Sequence, residues 1–171
     1  MRIEHPIPPL WSADSQTLIL GSFPSVKSRE AGFFYGHPQN RFWRVCAAVF
    51  SDAVPETIEE KKQFILAHGL ALWDVIASCD IEGSADSSIR GALPNDIGLI
   101  LQGADIRRIF VNGKTAEKLY YQYLYPKYRI PAVALPSTSP ANASWSLERL
   151  IVAWRLIAEN KKLSVRTYFF L

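Results

Sequence analysis

The chain has 171 residues, which suits one domain and leaves no room for two of ordinary size. Hydrophobic residues make up 49% and charged residues 20%, which excludes disorder as the overall state. The formal net charge of +3 also excludes a histone-like polycation. The two cysteines, Cys46 and Cys79, are too few for a four-cysteine zinc or iron–sulfur site. Both lie in apolar stretches and read as buried free thiols of a reducing cytosol. No apolar run reaches the ~18 residues of a membrane span, and MRIEHPIPPLW has no secretory core. A cytoplasmic, monomeric protein of one domain over 1–171 is the expectation.

Taken in chain order, residues 17–23 (TLILGSF) predict a buried strand ending near Gly21. Residues 24–40 form a long loop with two Pro, two Gly and three consecutive aromatics. Loops of that length in compact domains are usually functional. A helix follows over 41–50, with Phe42, Val45, Cys46 and Phe50 on its inner face. Thr57 and Glu60 form a capping box that opens a helix to about His68, stopped by Gly69. Residues 70–76 predict a second strand, and a polar loop runs on to about Arg90. Asn95 starts a short helix over 95–102. Residues 107–112 form a third strand, Gly113 opens a helix over 114–125, and 131–135 form a fourth strand. The turn PSTSPANAS leads into a helix over 145–161 with apolar residues at helical spacing.

Strands alternating with helices predict an α/β fold: a three-layer αβα sandwich around a mostly parallel four-stranded sheet. Ligands of such sheets bind outside the carboxyl ends of the strands. The loops 24–40, 77–90 and 136–144 all follow such ends and should converge on one cleft. Charge is also uneven. Residues 1–106 carry 8 basic and 13 acidic side chains, and residues 107–171 carry 11 and 3. The basic C-terminal third fits a polyanionic partner, or a merely solvated helix face.

Several loop residues carry two readings each. Phe33, Phe34 and Tyr35 form either a buried plug or a platform on which a planar ligand stacks. Asn40 is either a helix cap or a polar group holding water or a substrate edge. Ser137, Thr138 and Ser139 suit phosphate contacts, or an elaborate cap of the next helix. Asn112-Gly113-Lys114 is a strand-to-helix turn without the GxxxxGK[ST] phosphate loop, so an ordinary nucleotide triphosphatase is disfavoured.

GSFPSVKSREAGFFYGHPQNRFWRV (21–45) resembles the first motif of the uracil-DNA glycosylase superfamily, and LPSTSPANAS (135–144) resembles its second. VNGKTAEKLY (111–120) is similar to the segment between them. The likeness covers about residues 16–160. Mismatch-specific members place an Asn in the first turn, where this chain has Phe23. The pattern GSFP…YGHPxNxFW…LPSTSPAN is that of the hypoxanthine-DNA glycosylase branch.

The resemblance implies a monofunctional hydrolase of base excision repair. It would flip out a deaminated base, hypoxanthine first, and cut its N-glycosidic bond. Asn40 is then the catalytic residue, positioning water against C1′. Tyr35 stacks on the flipped base, and backbone N–H groups near Ser22 and Phe23 stabilise the departing base. Asp74 falls at a base-recognition position, although it suits a loop- or helix-capping carboxylate equally well. Asn112 contacts base or sugar. Ser137, Thr138, Ser139, Asn142 and Lys114 meet the DNA, Asn142 standing where relatives insert a Leu wedge. The implied partner is DNA containing deaminated bases. No cofactor, metal or membrane is implied. A uracil glycosylase, a non-catalytic damage-binding module and a nucleoside hydrolase are the competing readings.

Overall fold

The computed structural model describes residues 1–159, and 160–171 lie outside the description. The expected helix beyond residue 159 and the tail 163–171 therefore fall outside it. Three strands, β2 (Thr17–Gly21), β3 (Leu70–Asp74) and β6 (Arg108–Asn112), are short runs of mostly buried residues. Such runs form when both faces of a parallel sheet are covered. Together with β7 (Val133–Leu135) they make a four-stranded sheet of order β3-β2-β6-β7, parallel throughout. Pro131 has no N–H to give to the ladder, and the fourth strand begins two residues later than expected.

Helices α2 (Phe42–Val49), α3 (Ile58–Ala67), α5 (Lys114–Tyr123) and α7 (Leu147–Trp154) flank this sheet. That is the αβα arrangement expected from the alternating pattern. The capping box forms: Thr57 Oγ1 accepts from the Glu60 N–H at 3.1 Å, while Glu60 accepts from the Glu56 N–H at 2.9 Å. Helix α2 packs on α7, where the Phe42 and Trp154 rings meet edge to face. Both cysteines are buried and unpaired. Among the described residues, no helix is long and apolar enough to cross a membrane.

Several details depart from the sequence reading. Residues 77–90 are not simply a polar loop. They contribute β4 (Ile76–Asp80) and the first residue of β5 (Arg90–Pro94), which join β1 (Arg2–Glu4) in a separate antiparallel sheet of order β1-β4-β5. Gly91 and Pro94 are poor strand formers, and the register slips twice along β4, which breaks the alternation that reveals a strand. The 24–40 loop holds a short helix, α1 (Val26–Ala31), capped by Ser25 and closed by Gly32 in the left-handed conformation.

Asn95 does not start the next helix, which is α4 (Gly98–Gly103). Its buried amide instead donates to the carbonyls of Asp74 (2.9 Å) and Ile76 (3.2 Å), pinning the bend where the chain leaves one sheet for the other. Helix α7 is capped by Ser146 and starts two residues later than expected, and its last turn tightens to a 3-10 helix over Arg155–Ala158. Residues 125–128, beyond α5, make a further short helix, α6 (Tyr125–Tyr128).

The chain runs from β2 to β3 on one side of the sheet and later returns to β6 on the other. Loops part at this point, which opens a crevice at the carboxyl ends of β2 and β6. The Asn95 pin beside it makes a test. Asn95→Ala leaves two buried carbonyls short of a donor and should cost about 1–3 kcal/mol in urea unfolding. A loss within a few tenths would show that the bend needs no pin.

Candidate active site

Gly21 ends β2 in register with Asp74 at the end of β3. The two form part of the wall of a cavity of about 310 Å³, together with Asn112 at the end of β6 and the turn after β7. All three loop groups expected to converge do so: the cavity is also lined by Tyr35 and Asn40 from the first, Asp86 from the second and Ser137–Ala141 from the third. Gly21 is required here by space alone. A Cβ at this position would lie 2.3 Å from Asp74 Oδ1 and 3.3 Å from the Tyr35 hydroxyl.

The cavity wall holds a directed hydrogen-bond chain. Asn112 Oδ1 accepts from the Thr138 backbone N–H at 3.1 Å, and Asn112 Nδ2 donates to Thr138 Oγ1 at 3.0 Å. The Thr138 hydroxyl then gives its own proton to Asn40 Oδ1 at 2.9 Å. Asn40 Oδ1 also accepts from the Phe42 N–H at 2.9 Å, at the start of α2. Both lone-pair directions of that oxygen are therefore used, and Nδ2 is what Asn40 has left to offer. Asn40 is thus both of the things its sequence allowed, a cap and a cavity residue.

Thr138 differs from its expected role. It is fully buried, with its hydroxyl committed to two asparagines, and offers nothing to a phosphate. Ser137 and Ser139 differ from it: each hydroxyl accepts a backbone N–H two residues on, at 3.1 Å, and keeps its own proton to donate. Asn142 is tied into the same turn. Its amide donates to the Ser137 carbonyl at 3.0 Å, so it braces the loop rather than projecting as a free wedge. Lys114 is exposed at the start of α5 and is not part of the cavity wall.

The aromatic triplet divides between its two readings. Phe33 and Phe34 are buried, a plug against Trp43 and the core. Tyr35 stays half-buried on the cavity with its ring stacked on Phe42 at 4.0 Å. Its φ of +52° puts a bulky residue in the left-handed region, at a cost of order 1–3 kcal/mol. Burial, reinforced by the Asp74 charge, pushes the Tyr35 phenol well above its ordinary pKa, so it stays neutral. Its buried hydroxyl has no hydrogen-bond partner among the described residues.

The Asp74 carboxylate caps no helix. Its Oδ2 meets His5 Nε2 at 2.7 Å, with both side chains almost fully buried. Ser22 donates to Asp86 Oδ1 at 3.0 Å across the cavity mouth. The protein surrounding Asp86 pushes its pKa up, an effect the Ser22 hydroxyl opposes and the Asp74 charge adds to. Phe23 is buried edge-on against His5 and lines the cavity. Among the described residues, no group of three His, Cys, Asp or Glu side chains is placed to hold a metal.

Three residues escaped the sequence reading. His5 and Asp86 carried no motif. Arg41 looked like one more basic side chain, yet its guanidinium donates to the carbonyls of Ser139 (3.2 Å), Asn142 (3.0 Å) and Trp145. It clamps the 139–145 turn onto the start of α2. The only hint was its place next to Asn40 in the HPQNR string.

The family model described as the uracil DNA glycosylase superfamily matches residues 8–158. A hypoxanthine DNA glycosylase of Methanosarcina acetivorans is 34% identical over 149 residues, covering 86% of this chain and 93% of the relative. A hypoxanthine DNA glycosylase of Methanosarcina barkeri is 28% identical over 109 residues, covering 63% of this chain and 69% of the relative. The solution NMR structure of a candidate uracil DNA glycosylase from Methanosarcina acetivorans superposes with a TM-score of 0.76 at 28% identity. That match covers 93% of this chain and all of the other.

The crowding over Gly21 yields a test. Gly21→Ala should fold but displace the Asp74 carboxylate and the Tyr35 ring, lowering turnover of any cavity substrate by about a hundredfold. Turnover within threefold of wild type would place the reacting centre elsewhere.

Proposed function

The chain belongs to the uracil DNA glycosylase superfamily, and we propose that it removes hypoxanthine from DNA by hydrolysing the N-glycosidic bond of deoxyinosine. The observation that carries the reading is the fixed amide of Asn40, held by Thr138 and the Phe42 N–H at the edge of a base-sized cavity. Its support from outside the site is the activity named for the two Methanosarcina relatives.

A base inside a duplex is out of reach, so the nucleotide must first be extruded, at a cost of a few kcal/mol. That cost is least for a deaminated base in a poor pair. Ser137 and Ser139, with hydroxyl protons to spare, would grip the phosphates beside the opening. The face of Tyr35 not covered by Phe42 would take the extruded base, and Phe42 in turn keeps that ring from tilting away. Asp74 would accept the N1–H of hypoxanthine, since an ionised carboxylate only accepts.

Asn40 then holds the water. With Oδ1 saturated, it does so by donating from Nδ2 to one lone pair of the water oxygen. The other lone pair faces C1′. As the C1′–N9 bond breaks, its electron pair leaves with the purine and the sugar takes on oxocarbenium character. The water oxygen bonds to C1′ and gives up a proton, and the purine regains one, so hypoxanthine leaves neutral. An electrophile that strong needs a placed water more than a strong base. Among the described residues no lysine lines the cavity, which supports hydrolysis over a Schiff-base route.

The test is cleavage of oligonucleotides carrying one hypoxanthine, uracil or xanthine, or a thymine mismatch, with alkali to reveal abasic sites. Hypoxanthine should be cut fastest, and Asn40→Ala should abolish cutting while DNA binding is kept. Retained cutting in Asn40→Ala would assign the water to another residue. Tyr35→Ala should weaken capture of the lesion by about 1–3 kcal/mol, the usual worth of a base–aromatic stack. Unchanged capture would leave Tyr35 as packing only.

A further inference from the structure

We infer that His5 is a positioning residue for base selection, which locks the Asp74 carboxylate as an acceptor for a ring N–H. The inference rests on the reading above that the cavity receives a flipped base. His5 Nδ1 accepts from the Ile7 backbone N–H at 3.1 Å, so in the neutral ring the proton sits on Nε2. That N–H points at Asp74 Oδ2, 2.7 Å away, with only 3% and 5% of the two side chains exposed. The remaining neighbours of the imidazole are rings: Phe23, Phe34 and Trp73, at 5.8–6.4 Å between centroids. The histidine therefore has one polar use for Nε2.

The same contact settles where the other carboxylate oxygen goes. With Oδ2 held, Oδ1 lies over Gly21, close enough that a Cβ there would be 2.3 Å away. Asp74 lines the cavity, and no protein donor reaches its Oδ1 among the described residues. An oxygen so placed welcomes the N1–H of hypoxanthine. It repels adenine, whose N1 is a lone pair in place of an N–H. A carboxyl free to rotate could turn that oxygen away, and His5 removes that freedom by holding Oδ2.

The small antiparallel sheet explains why the histidine is there. β1 pairs with β4, and the His5 N–H continues that pairing to the Ala77 carbonyl at 2.7 Å. Ile7 then closes over Trp73, whose indole N–H donates to its carbonyl at 3.3 Å. The N-terminal segment is thereby strapped beneath the end of β3, where Asp74 sits.

The test uses two oligonucleotides with uncleavable 2′-fluoro-arabino nucleotides, one bearing hypoxanthine and one bearing unsubstituted purine, which lacks the N1–H. Wild type should bind the hypoxanthine strand at least tenfold more tightly. His5→Leu should bring that preference within threefold, and His5→Gln, which keeps an N–H at the same reach, should restore it. A second measurement covers the case of a His5→Leu chain that does not fold. In wild type, the His5 Nε2–H proton resonance should shift on binding the hypoxanthine strand and not the purine strand. Absence of preference in wild type, equal preference in His5→Leu, or a resonance indifferent to the base would each overturn the inference. Excision of deoxyinosine by wild type is scored separately, so its failure would strike the proposed activity and not be confused with failure of the His5 role.

Discussion

The wall of the cavity depends on one buried hydroxyl. Thr138 receives a hydrogen bond from Asn112 and passes one to Asn40, joining the end of β6 to the start of α2 through the turn after β7. Sheet pairing and the Arg41 clamp bring these three pieces together, and the Thr138 hydroxyl fixes how their side chains meet. A buried hydroxyl left unpaired would cost ~1–3 kcal/mol, so the chain is held together by what its interruption would cost. Its direction matters as much as its strength. The amide of Asn112 can be both donor and acceptor to one residue, which forces the Thr138 proton onward to Asn40. Asn40 is left with its N–H groups for the substrate side.

Around this chain the structure repeats one device, a backbone turn pinned by a side chain from a distant element. Arg41 holds three carbonyls of the 139–145 turn. Asn95 holds the bend between the sheets. Trp154 donates to the Pro136 carbonyl at 2.9 Å from α7. Loops are ordinarily the soft parts of a domain, and a reacting water must be placed within fractions of an ångström. Pinning the turns from distant elements gives these loops the rigidity of the core.

The parallel sheet was legible because its strands are buried on both faces and so are apolar without interruption, as in TLIL and IFV. The helix at Ile58 was legible because Thr57 and Glu60 write their cap in sequence. The cleft followed from topology, since the carboxyl ends of parallel strands share one side. The second sheet was hidden by Gly91, Pro94 and two register slips, which leave no period to read. Asn95 and Thr138 were misread for a common reason: a polar residue near a helix start looks the same whether it caps, binds a ligand or satisfies a distant carbonyl. His5 was invisible because its partner is 69 residues away. The motif resemblance pointed to Asn40, Tyr35 and Asp74, which share one cavity wall, but not to what orients them.

Thr138 is where the account is most exposed. The direct measurement is single-turnover excision of deoxyinosine by Thr138→Val and Thr138→Ser, with folding checked by thermal unfolding. Val matches the shape of Thr without the hydroxyl, so it breaks the chain between Asn112 and Asn40, whereas Ser keeps it. The account predicts a loss of at least about tenfold for Val, equivalent to ~1.4 kcal/mol of transition-state stabilisation, and near-normal rates for Ser. A folded Thr138→Val enzyme as fast as wild type would contradict it, and would show that Asn40 needs no orienting partner.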